Sequence, residues 1–306
     1  GLAGDSRLAG IIKRRPEVAI AALSGEGRNH FIISGVDPMK TILMTGAAGG
    51  VATFLRRELA EYSLRLSDVR VVTDLGDNET FVASDLTELE AVTAAAEGCY
   101  GIIHLGGMSD EQPWEDILNA NIVGCRNVYE AARTQGVKRV IFASSNHAVG
   151  FYRRDETISV DVTTKPDTRY GVSKAFGEAM GSLYADKYGV GGLAIRIGNV
   201  DQRPADVRRL AIWLSPRDLA QLVRIGLEHP QIHFEIVYGM SDNKRSWWDN
   251  ANATRLGYQP QDRSEDWAKE ILADGARDTD DDAAETYQGG TFVSLEDGGG
   301  RVPDLC

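Results

Sequence analysis

The sequence predicts an α/β fold built on a doubly wound parallel sheet, and three observations support this. From Thr41 onward, short apolar runs rich in β-branched residues alternate with longer amphipathic segments, as in sheets covered by helices on both faces. A glycine-rich turn joins the first run to the first helical segment. The 306 residues suffice for one large core with only a small addition beside it.

The elements follow from apolar periodicity. Seven strands are predicted, at residues 41–44, 69–73, 81–83, 101–105, 139–143, 193–197 and 232–237. Helices are predicted between them, over residues 51–62, 121–134, 171–188 and 217–228. Residues 199–213 are rich in charge and lack a clear period, so we expect a loop region over the strand ends. Ligands bind at that edge of such sheets.

Composition excludes several classes of function. The formal net charge of −12 repels phosphate backbones, so nucleic acid is not expected as a partner. Cys99, Cys125 and Cys306 lack disulfide or metal-ligand spacing, which favours a reducing cytoplasm. No run of about 18 uncharged apolar residues predicts a membrane span. His229 and His233 flank a proline without a HExxH pattern, so no metal site is predicted.

The first strand leads directly into the turn Thr45-Gly46-Ala47-Ala48-Gly49-Gly50-Val51-Ala52. Gly46 and Gly49 would let the backbone turn tightly and approach a pyrophosphate, whose charge then lies at the helix N-terminus. In this strand-turn-helix context the glycines predict a dinucleotide site, with a plain tight turn as the alternative.

Asp74 stands at the end of the second predicted strand. A carboxylate there can accept both adenosine ribose hydroxyls and repels the 2′-phosphate of NADP, so it favours NAD as the cofactor. The alternative interpretation is a solvated aspartate in a turn.

Tyr170 and Lys174 are four residues apart at the start of a long predicted helix and therefore share one face. A nearby ammonium would lower the pKa of the phenol and let it act as a base. Upstream, Ser144 and Ser145 end the fifth predicted strand, where one of these hydroxyls could hold a substrate oxygen. Taken with the glycine turn and Asp74, the pair predicts a dehydrogenase site.

At this point the sequence resembles the extended short-chain dehydrogenases, and within them the uronate dehydrogenase family, from Met39 to about Val293. Four runs carry the resemblance: His104-Leu105-Gly106-Gly107, Phe142-Ala143-Ser144-Ser145-Asn146-His147, Trp247-Trp248-Asp249-Asn250 and Gln288-Gly289-Gly290-Thr291-Phe292-Val293. The resemblance implies a Rossmann fold and NAD-dependent oxidation of free D-glucuronate or D-galacturonate at the anomeric carbon, giving the aldaric acid lactone.

The resemblance also implies roles for individual residues. Tyr170 would be the general base, and Lys174 would lower the pKa of the phenol and bind the nicotinamide ribose. The expected cofactor-binding residues are Gly46, Ala48, Gly49, Gly50, Val51, Asp74, Asp85, Leu86, Leu105, Gly106, Tyr170 and Lys174. The expected substrate-binding residues are Ser109, Ser145, Asn146, His147, Asn199 and Arg208.

Two of these substrate positions need comment. Arg208 matches the arginine that holds the substrate carboxylate in the family, and a guanidinium suits that task because it presents two parallel donors. Judged alone it would be a surface arginine. Asn199 stands where the family has a serine that touches the substrate, so we expect it to affect which uronate is preferred.

For the organisation of the chain, we expect residues 1–38 to be an expression-derived or dispensable leader, with a native extension as the alternative. Residues 39–198 would form the NAD-binding core, and residues 199–306 would add the remaining strand, a small substrate-binding subdomain and a tail. A homo-oligomer is expected. The rival functions are a nucleotide-sugar epimerase or dehydratase and a non-catalytic NAD-binding protein.

Overall fold

The computed structural model describes residues 39–275, 277 and 279–296, so the expected leader, residues 1–38, lies outside the described residues. The centre of the described part is a seven-stranded parallel sheet, which confirms the predicted fold class. The strands are β1 (Thr41–Thr45), β2 (Ser63–Asp68), β3 (Glu79–Ala83), β4 (Gly101–His104), β5 (Arg139–Ser145), β6 (Gly191–Ile197), β7 (Asn199–Val200), β8 (Trp213–Leu214) and β9 (Phe234–Gly239). The sheet has the order β3-β2-β1-β4-β5-β6-β9, and β7 and β8 form a separate pair.

Helices cover both faces of this sheet. They are α1 (Gly50–Glu58), α2 (Leu89–Ala96), α3 (Trp114–Ile117), α4 (Gly124–Gln135), α5 (Arg169–Tyr188), α6 (Arg209–Ile212), α7 (Pro216–Glu228), α8 (Ala251–Arg255), α9 (Glu265–Ile271) and α10 (Asp282–Thr286). A π-helical segment, Leu118–Val123, precedes α4. Three short 3₁₀ segments complete the described part, at Asn146–Val149, Leu272–Asp274 and Gly290–Ser294.

The alternation of side chains along the strands divides the core into two layers. Ile42 and Met44 of β1 pack with Leu55 of α1 and the apolar face of α7. Leu43, between them, faces the other side and packs with helices α2, α4 and α5. Because both layers are apolar and buried, the central strands are hydrophobic on both faces and hold the carboxyl edge of the sheet rigidly.

Six of the seven predicted strands overlap observed ones, but the prediction of a second strand at 69–73 is wrong. That strand is Ser63–Asp68, where Leu64 and Leu66 are buried and alternate with polar residues. Val69 and Val71 are instead 65% and 68% exposed. Residues 69–73 have strand propensity, but the half-buried alternation of 63–68 determines which segment pairs with β1.

The segment 199–213 also has more structure than predicted, because it contains β7 and α6. Asn199 of β7 pairs in parallel with Trp213 of β8, and the Trp213 indole donates to the Asp201 carbonyl at 2.8 Å. Trp213 therefore anchors the segment that carries Arg208. Within 39–275 and 279–296, no helix has the length and apolar character needed to cross a bilayer.

Candidate active site

The glycine turn after β1 lies directly against the loop after β4. Gly46 has φ +70°, and a Cβ added there would lie 2.6 Å from the backbone nitrogen of Gly106. Only glycine fits this position because both its conformation and the space exclude a side chain. The close approach leaves a cavity of about 610 Å³ above the carboxyl edge of the sheet.

This cavity brings together most residues expected to bind the cofactor. Those lining it are Gly46, Gly49, Gly50, Val51, Asp85, Leu86, Leu105 and Gly106. Ser109, expected to contact the substrate, lines it as well. Ala48 contributes its backbone N–H, which donates to Asp68 at 3.0 Å. Gly49, the N-cap residue of α1, has no side chain and lines the cavity together with Gly50, so the helix N-terminus is open to an anionic group.

The structure contradicts the expected role of Asp74 in binding the cofactor. Its side chain is 80% exposed, pairs with Arg56 at 3.3 Å and lies outside the residues that line the cavity. Because β2 ends at residue 68, the acidic residue at its carboxyl end is Asp68, which is 9% exposed at its side chain. Sequence reasoning missed Asp68 because it placed the strand six residues too late.

The residues present fit a dinucleotide. The glycines leave room for a phosphate backbone at the N-terminus of α1, and Asp68 presents a carboxylate at the cavity wall beside Arg70. Such a carboxylate at the end of the second strand suits an unphosphorylated ribose. Val51, Leu86 and Leu105 supply apolar walls.

Tyr170 is positioned by caps at the N-terminus of α5. The Thr168 hydroxyl accepts from the backbone N–H of Gly171 at 2.9 Å, as an N-cap residue does. Glu111, from the loop after β4, accepts from the backbone N–H of Tyr170 at 3.0 Å and pairs with Arg169 at 2.6 Å. The first turn of α5, and with it the phenol, is thus fixed against the β4 loop.

The phenol of Tyr170 lies beside Ser145 and Lys174. Burial raises the pKa of Tyr170 to about 12, while the nearby Ser145 hydroxyl opposes that rise. The Lys174 ammonium lies 5.3 Å from the centroid of the Tyr170 ring and donates to the Ala143 carbonyl at 2.8 Å. Burial lowers the pKa of Lys174 to about 8. The three side chains expected to be catalytic are therefore brought together.

The structure also distinguishes between the two serines at the end of β5. Ser144 donates to Glu178 at 2.7 Å, and Glu178 forms a buried, bidentate ion pair with Arg196. Ser145 faces Tyr170 instead, and its Oγ accepts from the backbone N–H of His147 at 3.2 Å. Of the two, Ser145 is the hydroxyl available to a substrate.

Asn146 and His147 follow Ser145 in the 3₁₀ segment and extend the site beyond Ser145. His147 Nδ1 lies 2.7 Å from Asp167 Oδ2, and its ring stacks on Phe292 with centroids 4.0 Å apart. Asp167 and Phe292 were not predicted as site residues. Asp167 is an isolated acidic residue before a helix, and Phe292 comes near the site only because the 290–294 segment folds back over it.

Arg208 completes this group of side chains. With the Asn146 amide oxygen facing it, that oxygen accepts from Arg208 Nη2 at 3.1 Å, and the amide nitrogen donates to the Ile197 carbonyl. Arg208 also donates to the Gln288 carbonyl through Nε and Nη2, at 3.1 and 2.8 Å. Burial, with the nearby cations Arg154 and Arg209, lowers the pKa of Arg208 to about 10. Its cationic form is held among other cations, which favours an anionic ligand.

The loop that carries Ser109 is held by Asn121, another residue not predicted. Asn121 lies in the π-helical segment and binds both backbone groups of Met108, accepting from its N–H at 2.7 Å and donating to its carbonyl at 3.1 Å. It also donates to Ser173 of α5 at 2.9 Å. Asn199, by contrast, is half-buried at the carboxyl end of β6.

Comparison with known proteins places the chain in a family. The NAD dependent epimerase/dehydratase family matches residues 42–201. Uronate dehydrogenase of Pseudomonas syringae pv. tomato is 46% identical over 84% of this chain and 94% of its own length. The chain belongs to the uronate dehydrogenase family.

Solved structures of a glucuronic acid dehydrogenase and a uronate dehydrogenase match most of the chain. Glucuronic acid dehydrogenase from Chromohalobacter salexigens has a TM-score of 0.81 at 45% identity, covering 84% of this chain and 98% of that one. A variant of uronate dehydrogenase from Agrobacterium tumefaciens in complex with NAD has a TM-score of 0.80 at 40% identity, with coverage of 84% and 98%.

Proposed function

We propose that this chain oxidises the anomeric carbon of a free uronic acid, D-glucuronate or D-galacturonate, to the aldaric acid lactone with NAD. One observation carries the proposal: the continuous run Ser145, Asn146 and His147 contacts both a buried phenol, Tyr170, and a buried guanidinium, Arg208. Ser145 lies close enough to the Tyr170 phenol to lower its pKa, the His147 ring meets the edge of the Tyr170 ring with centroids 5.8 Å apart, and the Asn146 amide oxygen, when it faces Arg208, accepts from Nη2. A uronic acid in its pyranose form carries its anomeric hydroxyl on C1 and its carboxylate on C5, on either side of the ring oxygen, so a base and a guanidinium at one site can address the two groups together.

In this proposal the substrate carboxylate binds Arg208, and the anomeric hydroxyl lies between Ser145 and Tyr170. Asn146 and His147 contact the ring hydroxyls, Ser109 contacts the sugar from the β4 loop, and Asn199 contributes to the preference between uronates. Support for Arg208 comes from its chemistry, because a guanidinium binds a carboxylate through two parallel donors.

Bound NAD supplies the hydride acceptor. Tyr170 takes the proton of the anomeric hydroxyl, while Ser145 donates to that oxygen and holds it against the phenol. Lys174 stabilises the phenolate electrostatically and binds the nicotinamide ribose. Since burial makes the free phenolate costly, the cation is needed to bring the base into use near neutral pH. The ring stays closed, so a lactone is the product.

The decisive experiment follows NADH formation by absorbance with NAD and, separately, glucuronate, galacturonate, glucose and galactose. We expect turnover with the two acids and far less with the neutral sugars. A nucleotide-sugar epimerase would instead convert UDP-glucose without net NADH. A non-catalytic protein would bind NAD and turn over none of these sugars.

The glycine turn gives a prediction with a matched control. Gly46→Ala should destabilise the protein and weaken NAD binding roughly tenfold or more, because the methyl group strains a positive φ and pushes the β4 loop away. Gly98 has the same kind of conformation, with φ +68°, but open space around its added Cβ. Gly98→Ala should cost only about 1 to 2 kcal/mol of stability and leave NAD binding unchanged.

Calorimetric titration with NAD and thermal unfolding separate these two effects. Equal loss of NAD affinity in the two variants would mean that strain alone, and not the approach to Gly106, explains the result.

Asp68 gives the second prediction. Asp68→Asn should lower the preference for NAD over NADP by roughly tenfold or more, since the carboxylate no longer repels a 2′-phosphate and Arg70 stands beside it. Asp74→Asn is the control and should leave the preference unchanged. The comparison requires kcat/KM for both cofactors; a larger change in the Asp74 variant would contradict the assignment.

We further propose the division of the chain at residue 198: residues 39–198 hold the dinucleotide and the catalytic serine, tyrosine and lysine, and residues 199–306 add the last strand, a small subdomain that contributes to sugar binding, and a tail. Arg208 supports it, since it lies beyond the boundary. We also propose that the protein functions in the cytoplasm, since Cys99 and Cys125 are free thiols. We propose that it forms a homo-oligomer, since Val172 and Leu183 on the outer face of α5 are 43% and 47% exposed.

A further inference from the structure

Asp167 lies immediately before the N-cap of α5, and its side chain is completely buried. One carboxylate oxygen, Oδ2, lies 2.7 Å from His147 Nδ1, and the other, Oδ1, accepts from the Thr168 hydroxyl at 3.0 Å. A buried carboxylate needs such partners, because an unpaired one is costly. The proposed reaction gives this aspartate no direct part.

The surrounding backbone leaves room for this carboxylate. A Cβ added at Gly150 or at Gly289 would overlap Asp167 Oδ2. These two glycines come from different segments and meet over the carboxylate, where the Gly289 N–H donates to the Gly150 carbonyl at 2.9 Å. The backbone at Gly289 thus packs directly against the Asp167 carboxylate, which is also bound by His147 and Thr168.

The ring of His147 is held equally firmly. It stacks on Phe292 and meets the edge of Tyr170 with centroids 5.8 Å apart. The residue is 8% exposed. Its Nδ1 faces Asp167, whereas within the described residues no hydrogen bond of Nε2 is found. With the ring fixed, the position of its proton decides what Nε2 offers to a ligand.

We propose that Asp167 is a positioning residue that keeps the proton of neutral His147 on Nδ1, so that Nε2 accepts a hydrogen bond from a sugar hydroxyl. This rests on the proposed role of His147 in binding the uronic acid. Without the carboxylate, the proton can move to Nε2, which then offers a donor where the hydroxyl needs an acceptor. The mismatch leaves one buried polar contact unmade in the complex.

Other charged and titratable groups near Asp167 define the competing explanation. The negative charge of Asp167 also acts on two other groups. It partly offsets the fall in the pKa of Arg208, and it adds to the rise in the pKa of Tyr170. If Asp167 worked through either of those groups, the His147 tautomer would be irrelevant. The test must therefore separate a loss that passes through His147 from one that does not.

The first measurement is the ¹⁵N spectrum of the histidine side chains without substrate, which is tractable because the chain has five histidines. His147→Gln assigns the signal. We expect Nε2 of His147 to be unprotonated in the wild type and in Asp167→Asn, whose amide oxygen can still accept from Nδ1. In Asp167→Ala the signal should move toward the protonated position. An unchanged tautomer in Asp167→Ala overturns the proposal.

The second measurement is a double-mutant cycle on uronate oxidation. Asp167→Ala should raise KM roughly tenfold or more with a smaller change in kcat, and Asp167→Asn should recover most of the loss. In a His147→Gln background, Asp167→Ala should have no further effect. A loss that persists there places the action of Asp167 on Arg208 or Tyr170 and rejects the proposal.

Asp218→Ala controls for destabilisation, because Asp218 is also fully buried and binds Ser241 and the backbone of Gln261 and Asp262. It should lower thermal stability without changing KM or the His147 signal. Failure of the proposed function is distinguishable, since it appears as a wild-type protein that forms no NADH with uronates, whatever the tautomer of His147.

Discussion

Tyr170→Phe should lower kcat for uronate oxidation by roughly 10² to 10⁴-fold, the usual contribution of a positioned general base, while NAD still binds. The substitution removes one oxygen from a side chain that is 7% exposed, and the caps on α5 act on the backbone. The fold should therefore survive. Single-turnover measurements at saturating NAD and uronate, with NAD affinity measured separately, test the expectation.

Tyr188→Phe is the matched control, since Tyr188 ends the same helix and is 43% exposed. It should turn over like the wild type. Turnover by Tyr170→Phe within a few-fold of the wild type would show that another group takes the proton.

Arg208→Gln should lower kcat/KM for glucuronate by roughly 100-fold or more, because the substrate carboxylate loses its charged partner in a desolvated site. For glucose, which carries no carboxylate, kcat/KM should change little. The loss of discrimination between acid and neutral sugar is the expected signature, and steady-state kinetics on both sugars measure it.

Arg209→Gln provides the control for charge. Arg209 is the neighbouring residue and pairs with Asp206, so its loss should affect both sugars equally and weakly. Arg208 also holds the Gln288 carbonyl, and a displaced C-terminal segment would lower activity on both sugars. An equal loss on glucose and glucuronate in Arg208→Gln would contradict carboxylate recognition.

The sheet and much of the site could be predicted from the sequence, because those features depend on local pattern. The glycine turn, Tyr170 and Lys174 are identified by spacing along one turn or one helix. Asp68 was missed because the exposed run 69–73 has as much strand propensity as the true strand. Which of two adjacent segments pairs with β1 depends on burial, a tertiary property.

Asp167 and Phe292 could not be found from sequence for a different reason. They meet at His147 although 125 residues separate them, and nothing near either one in the chain indicates the contact. Gly289 and Gly290 indicate at most that the backbone there approaches another group closely. They do not indicate which group it approaches.

Arg208 is held by a segment that comes much later in the chain than the strand ends of the site. Its guanidinium binds the Gln288 carbonyl, and the Gln288 side-chain amide donates to the Arg153 and Glu156 carbonyls. An engineer could therefore shift Arg208 by substitutions around Gln288, without changing the glycine turn, Ser145 or Tyr170.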